Sequence, residues 1–158
     1  MISLAFPVLY SSVAYVRAQE NGLLYLILII ISCFITDTGA YFVGRAWGKH
    51  KLAPVISPKK TIEGFIGGIV VNILVYLIVG FVLPAPVSLP MLMVLAAVCG
   101  VLDQFGDLSM SAIKRHFGVK DFGSFMPGHG GVLDRFDSLL YVGAFVYIFI
   151  MWIHPLYI

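Results

Sequence analysis

The run "FIGGIVVNILVYLIVGFVL", Phe65 to Leu83, contains no Asp, Glu, Lys or Arg. A helix rises 1.5 Å per residue and the hydrocarbon core of a bilayer is roughly 30 Å thick, so a run of about 20 apolar residues is long enough to cross it. The stretch "PAPVSLP", Pro84 to Pro90, follows directly. Proline lacks an N–H and disfavours helix in the residue before it, so a turn at the membrane edge is expected there. Working outward, four further segments are candidate spans: Ile2 to Val16, short for a full crossing; Leu23 to Val43, which carries Asp37 near its end; Met91 to about Ile113, which begins apolar and then acquires Asp103 and Asp107; and Leu139 to Ile153. Trp152 and Tyr157 stand where interfacial anchors belong.

Composition agrees with this reading. Of 158 residues, 60% are hydrophobic and only 11% charged, and the mean hydropathy is +0.99. So much apolar surface exceeds what one small soluble core can hide. The expected fold is therefore all-α, a polytopic membrane helix bundle of about five transmembrane segments forming a single domain over residues 1–158. A net charge of +2, with no long basic run interleaved with aromatics, argues against nucleic acid as a partner. Cys33 and Cys99 fall inside apolar runs and read as free thiols, not as a disulfide or a metal site. Met1 to Val16 lacks a basic leader and a small-residue cleavage site, so it reads as a membrane segment and not as a removable signal peptide.

The sparse charges are not scattered. Gly44 to Gly64 carries Arg45, Lys49, Lys51, Lys59 and Lys60, and a second connection carries Lys114, Arg115, Lys120 and Arg135. With five spans both connections lie on one side, and Pro84 to Pro90 and the C-terminal tail, on the other, carry no Lys or Arg. The positive-inside rule then puts the charged connections, and any chemistry they carry, in the cytoplasm.

Three stretches could do chemistry. In "GVLDQFGDLSMSAIKR", Asp103, Asp107, Ser111 and Lys114 recur at helical spacing and form one polar stripe on an apolar cylinder. A carboxylate at membrane depth costs on the order of 2.5 to 3.5 kcal/mol, so such acids are functional suspects, with salt bridging to Lys114 or Arg135 as the plainer reading. In "GHGGVLDRFD", the glycines around His129, including Gly130 and Gly131, allow close backbone approach, and Asp134 and Asp137 would share a helix face beside Arg135. Alone this is an ordinary loop; joined to the acids it suits a metal-bound anion, with hard oxygen ligands favouring Mg²⁺ over zinc. In "ISPKKTIEG", Ser57 fits an N-cap and Pro58 the first helical position, so a helix is expected to begin there with Lys59 and Lys60 in its first turn. Cations there oppose the helix dipole unless an anion such as phosphate lies between them and the free N–H groups; the plainer reading is a basic flank to the next span. "DTGAYFVGR" completes the set: Asp37, Tyr41 and Arg45 are spaced to share a face, but Asp37 and Arg45 are too far apart for a direct pair, so each needs another partner.

The order DTGAYFxGR, SPKKTxEG, GDLxxSxIKR and KDxGxxxPGHGGxxDRxD, as it stands from Asp37 to Asp137, resembles the bacterial phosphatidate cytidylyltransferases, the CDP-diacylglycerol synthases. The match runs from about Ile30 to Ser138 and covers the catalytic half of the family pattern, without the transmembrane segments that precede it in family members. The resemblance implies transfer of CMP from CTP to phosphatidic acid, with release of pyrophosphate, at the bacterial inner membrane. It implies Mg²⁺ and a monovalent cation such as K⁺ as cofactors. The family's metal-binding acids fall on Asp107 and Asp134, with Asp103 and Asp137 as secondary candidates. Lys114, Arg115 and His129 fall at catalytic motif positions. Ser57, Lys59, Lys60, Asp37, Arg45, Gly130, Gly131 and Arg135 are the expected substrate-binding set. A homodimer would cover helix faces otherwise left open. Two rival readings are a CTP-dependent polyprenol or phytol kinase, and a non-catalytic transporter or assembly subunit whose intramembrane acids line an ion path.

Overall fold

A computed structural model of the chain describes residues 11–83, 87–118 and 137–153, with backbone only at 137 and 153. Five helices are seen among these residues. They are α1 (11–18), α2 (Gly22–Trp47), α3 (Ile62–Val82), α4 (Leu89–His116) and α5 (Asp137–Ile153). Between α2 and α3 lies a short hairpin of β1 (Lys51–Ala53) and β2 (Ser57–Thr61). Helices α2, α3 and α4 are each long and apolar enough to cross a membrane, and α5 contains a shorter apolar helix. The all-α membrane bundle expected from the sequence is the fold observed, with the hairpin as its one addition.

Local chemistry sets the boundaries. Between α1 and α2 the chain turns through Asn21 at φ 58, a left-handed conformation that asparagine tolerates better than most residues. Pro90 does not end the turn before α4. It sits in the helix's first turn, where a missing N–H costs nothing because those donors are unpaired anyway.

The expected helix start at Ser57 and Pro58 is not observed. These residues open β2, paired antiparallel to β1 with Lys51 opposite Thr61 and Ala53 opposite Ser57. Lys59 and Lys60 therefore lie on a strand. The helix begins five residues after Ser57, at Ile62, where Thr61 is the N-cap: its backbone is extended and its hydroxyl accepts the Gly64 N–H at 3.1 Å. Ser57-Pro58 and Thr61 are both adequate start signals; the continuous apolar run lies beyond Thr61, so the later cap wins and leaves Pro58 on an edge strand, where proline is tolerated.

The core lies where α2, α3, α4 and α5 meet, around Leu28, Ile29, Tyr76, Leu92, Leu95, Val142 and Val146, all buried. Apolar residues on the outer faces, among them Phe34 on α2, Leu74 and Ile78 on α3, and Val94 on α4, stay exposed, as lipid-facing positions should. Without a hydrophobic drive between helices in lipid, close packing and interhelical hydrogen bonds must hold the bundle. Asn72 on α3 supplies two, donating from Nδ2 to Ser32 Oγ on α2 and to the Ala96 carbonyl on α4, each at 2.8 Å. One turn further along, the Tyr76 hydroxyl donates to the Leu28 carbonyl at 2.8 Å. Gly68 lets α2 and α3 approach: a Cβ there would lie 2.7 Å from the Thr36 carbonyl oxygen.

Candidate active site

At the hairpin end of the bundle, α2, β2, α3 and α4 enclose a cleft of about 170 Å³. Arg45 and Tyr41 line it from the last turns of α2, Lys59 and Lys60 from β2, Phe65 from α3 and Gln104 from α4. The hairpin reaches this position because Gly44 presents no side chain: a Cβ there would stand 2.8 Å from Thr61 Oγ1. A clamp then fixes the hairpin to α3. The Ile62 N–H donates to the His50 carbonyl at 2.9 Å, and the Glu63 carboxylate accepts the His50 N–H at 3.2 and 3.3 Å and pairs with His50 Nδ1 at 2.7 Å.

The expected acid and base meet here across the fold. Lys60 Nζ lies 2.5 Å from Asp107 Oδ2, with both side chains only partly exposed, 21% and 30%. Ser111, one turn along α4, donates to Asp107 Oδ1 at 3.4 Å, so the polar stripe of Asp103, Asp107 and Ser111 is real. Asp107 finds its cation on β2. Arg45 Nη1 donates to Tyr41 Oη at 3.0 Å, which answers the question of where Arg45 turns when Asp37 is out of reach.

Asp103 and Gln104 stand on two faces of α4. Gln104, 1% exposed, donates from Nε2 to the Phe65 carbonyl at 2.9 Å and ties the cleft floor to α3. Asp103 is fully buried; Asp37 and Lys60 are among the charges that act on it. Cys33 on α2 and Ser138 on α5 also act on its carboxylate.

Other expected site residues are distributed differently. Ser57 begins β2 and Asp37 is exposed on α2, and neither lines the cleft. Lys114 and Arg115 occupy the last turn of α4, Lys114 half-buried and Arg115 exposed. His129, Gly130, Gly131, Asp134, Arg135 and the side chain of Asp137 lie outside the described residues. Among the described residues, no three His, Cys, Asp or Glu side chains group closely enough to hold a metal ion. Asp107 nevertheless offers hard carboxylate oxygens beside a position that already accommodates a cationic group, which suits Mg²⁺.

Gln104, Thr61 and the His50–Glu63 clamp were not singled out by charge and spacing. Gln104 is uncharged and sits beside two more conspicuous acids. The only signal for it was an amide inside an apolar helix, where every polar group must find a partner.

A multi-helix membrane protein with a cleft lined by basic side chains at one end of its bundle is the class that fold and cleft define. Residues 1–153 match the cytidylyltransferase family, and the chain belongs to that family. Among its relatives, the phosphatidate cytidylyltransferase of Staphylococcus epidermidis is 48% identical over 139 residues, 83% of this chain and 54% of the relative. The Bacillus subtilis enzyme of the same name is 47% identical over 129 residues, 82% of this chain and 48% of the relative. The chain thus spans about half the length of the curated relatives it matches.

Proposed function

We propose that this chain carries the site for CMP transfer from CTP to phosphatidate, yielding CDP-diacylglycerol and pyrophosphate. The observation that carries the proposal is the convergence of Arg45, Lys59 and Lys60 on one cleft, with Lys60 paired to Asp107, in a member of the cytidylyltransferase family.

The chemistry follows from charge. A phosphate monoester has a second pKa near 6, so phosphatidate is largely dianionic at neutral pH and needs no general base to become a nucleophile. One of its oxygens attacks the α-phosphorus of CTP, and the bond from that phosphorus to the β-phosphate bridging oxygen breaks, releasing pyrophosphate. The obstacle is bringing two polyanions into line. Arg45, Lys59 and Lys60 offset that repulsion, and the walls of the cleft hold the reacting groups in position. Asp107 and Asp134 are the residues we assign to Mg²⁺, which when bound supplies charge neutralisation at the transferring phosphate. Lys60 then has two anionic partners within its reach, Asp107 and a phosphate oxygen. The basic connections between α2 and α3 and beyond α4 support a cytoplasmic site, where CTP is available.

The purified chain in lipid nanodiscs, given CTP, Mg²⁺ and phosphatidate, is expected to form CDP-diacylglycerol. Asp107→Asn is expected to lower the rate by about 10²-fold or more while leaving membrane insertion intact. Mass spectrometry of the lipid product separates this from a kinase, which would add a single phosphoryl group. Full activity of Asp107→Asn would remove the metal assignment.

A further inference from the structure

If the cleft serves CMP transfer, its two phosphate-bearing substrates arrive from different directions. CTP comes from water, whereas the phosphate of phosphatidate is tethered to the bilayer surface by its acyl chains. The cleft has walls to match. One is formed by Tyr41 and Arg45 in the last turns of α2; Tyr41 and, on the same turns but outside the cleft lining, Phe42 and Trp47 are 58%, 63% and 68% exposed, in the aromatic pattern of a membrane–water interface. The other is the β-hairpin, on which Lys59 is exposed and Lys60 turns inward to Asp107.

Arg45 belongs to the membrane wall. Tyr41 takes one of its N–H groups at 3.0 Å and so orients the guanidinium at the cleft. Among the described residues, no carboxylate lies within ion-pair distance of it. A guanidinium has five N–H donors in a planar fork that matches phosphate in bidentate fashion, so most of its donors remain for a ligand. Lysine offers a point charge without that fork.

We propose that Arg45, oriented by Tyr41, is the receptor for the lipid phosphomonoester, and that Lys59 and Lys60 serve the triphosphate; this division rests on the CMP-transfer reading. A lipid phosphate at the interface meets Arg45 first. A nucleotide entering from solvent meets the hairpin first.

The test separates binding from turnover. In nanodiscs containing equal phosphatidate and phosphatidylglycerol, without CTP, native mass spectrometry of the ejected protein reports which lipid is retained. The wild-type chain is expected to retain phosphatidate preferentially. Arg45→Gln should lose that preference by about tenfold, the usual scale for a charge-assisted contact of 1.4 kcal/mol, and Arg45→Lys should fall between them. Tyr41→Phe, which removes only the orienting hydroxyl, should shift retention the same way by a smaller factor and covers the case in which Arg45→Gln does not fold. In turnover, Arg45→Gln should raise KM for phosphatidate and leave KM for CTP within about twofold, while Lys59→Gln should do the reverse. Equal retention by wild type and Arg45→Gln would overturn the proposal, as would a rise confined to KM for CTP. Arg45-dependent retention without any CDP-diacylglycerol would instead overturn the CMP-transfer reading and leave the lipid-phosphate site standing.

Discussion

Replacing Asn72 with alanine should loosen the bundle beneath the cleft by a calculable amount. The Asn72 side chain is fully buried, and its two hydrogen bonds of 2.8 Å join α3 to Ser32 on α2 and to Ala96 on α4. Interhelical hydrogen bonds in membranes average about 0.6 kcal/mol each and reach about 1.7, so two of them contribute about 1 to 3 kcal/mol. The Ala96 carbonyl lies within α4, so Ser32 carries most of the penalty of an unmatched polar group. Reversible unfolding in mixed micelles, titrated with a denaturing detergent, measures the loss. A matched control is Leu74→Ala: Leu74 is about half exposed on the outer face of α3, where lipid replaces whatever contact is removed, and the expected change is below about 0.5 kcal/mol. An Asn72→Ala loss no larger than the Leu74→Ala loss would refute the claim that this amide ties three helices together.

Other perturbations test the hairpin, the helix contact and the ion pair. Glu63→Gln keeps the shape of the His50 clamp but removes its charge; hydrogen exchange at the His50 amide should accelerate and KM for CTP should rise several-fold, with Glu63→Asp less affected. Gly68→Leu forces a side chain against the Thr36 carbonyl and Ala40, beyond a Cβ that would already lie 2.7 Å and 3.1 Å from them. The expected loss is about 2 kcal/mol or more by the same unfolding titration, because backbone cannot yield as a side-chain tip can. Lys60→Gln and Asp107→Asn should be non-additive in stability, with a coupling of about 1 to 3 kcal/mol, between the values typical of exposed and buried pairs. A coupling near zero would mean that the 2.5 Å contact does not persist in solution.

Three of the expected spans were legible because bilayer thickness sets a minimum length for a crossing helix, and α2, α3 and α4 reach it. The polar stripe on α4 was legible for a similar reason: a period of 3.6 places Asp103, Asp107 and Ser111 together without reference to any other element. Partners across the fold were not. Lys60 on β2 and Asp107 on α4 are separated by the whole of α3, and no spacing rule joins them. The hairpin was hidden behind competing cap signals, since Ser57-Pro58 is as good a helix start as Thr61 until the pairing of Lys51 with Thr61 is known. Asn72 and Gln104 carry no charge and so leave no mark in the charge pattern, although in a membrane an amide must also be satisfied. The resemblance to the cytidylyltransferases reached the family correctly; the cleft adds which of its basic residues converge.

The most direct test of CMP transfer follows the fate of each phosphorus of CTP. With the wild-type chain in phosphatidate-containing nanodiscs and Mg²⁺, label at the α-phosphorus should enter the lipid fraction, and label at the γ-phosphorus should leave as pyrophosphate. Entry of γ-label into lipid, with the α-label left in CDP, would contradict the account and identify a lipid kinase instead.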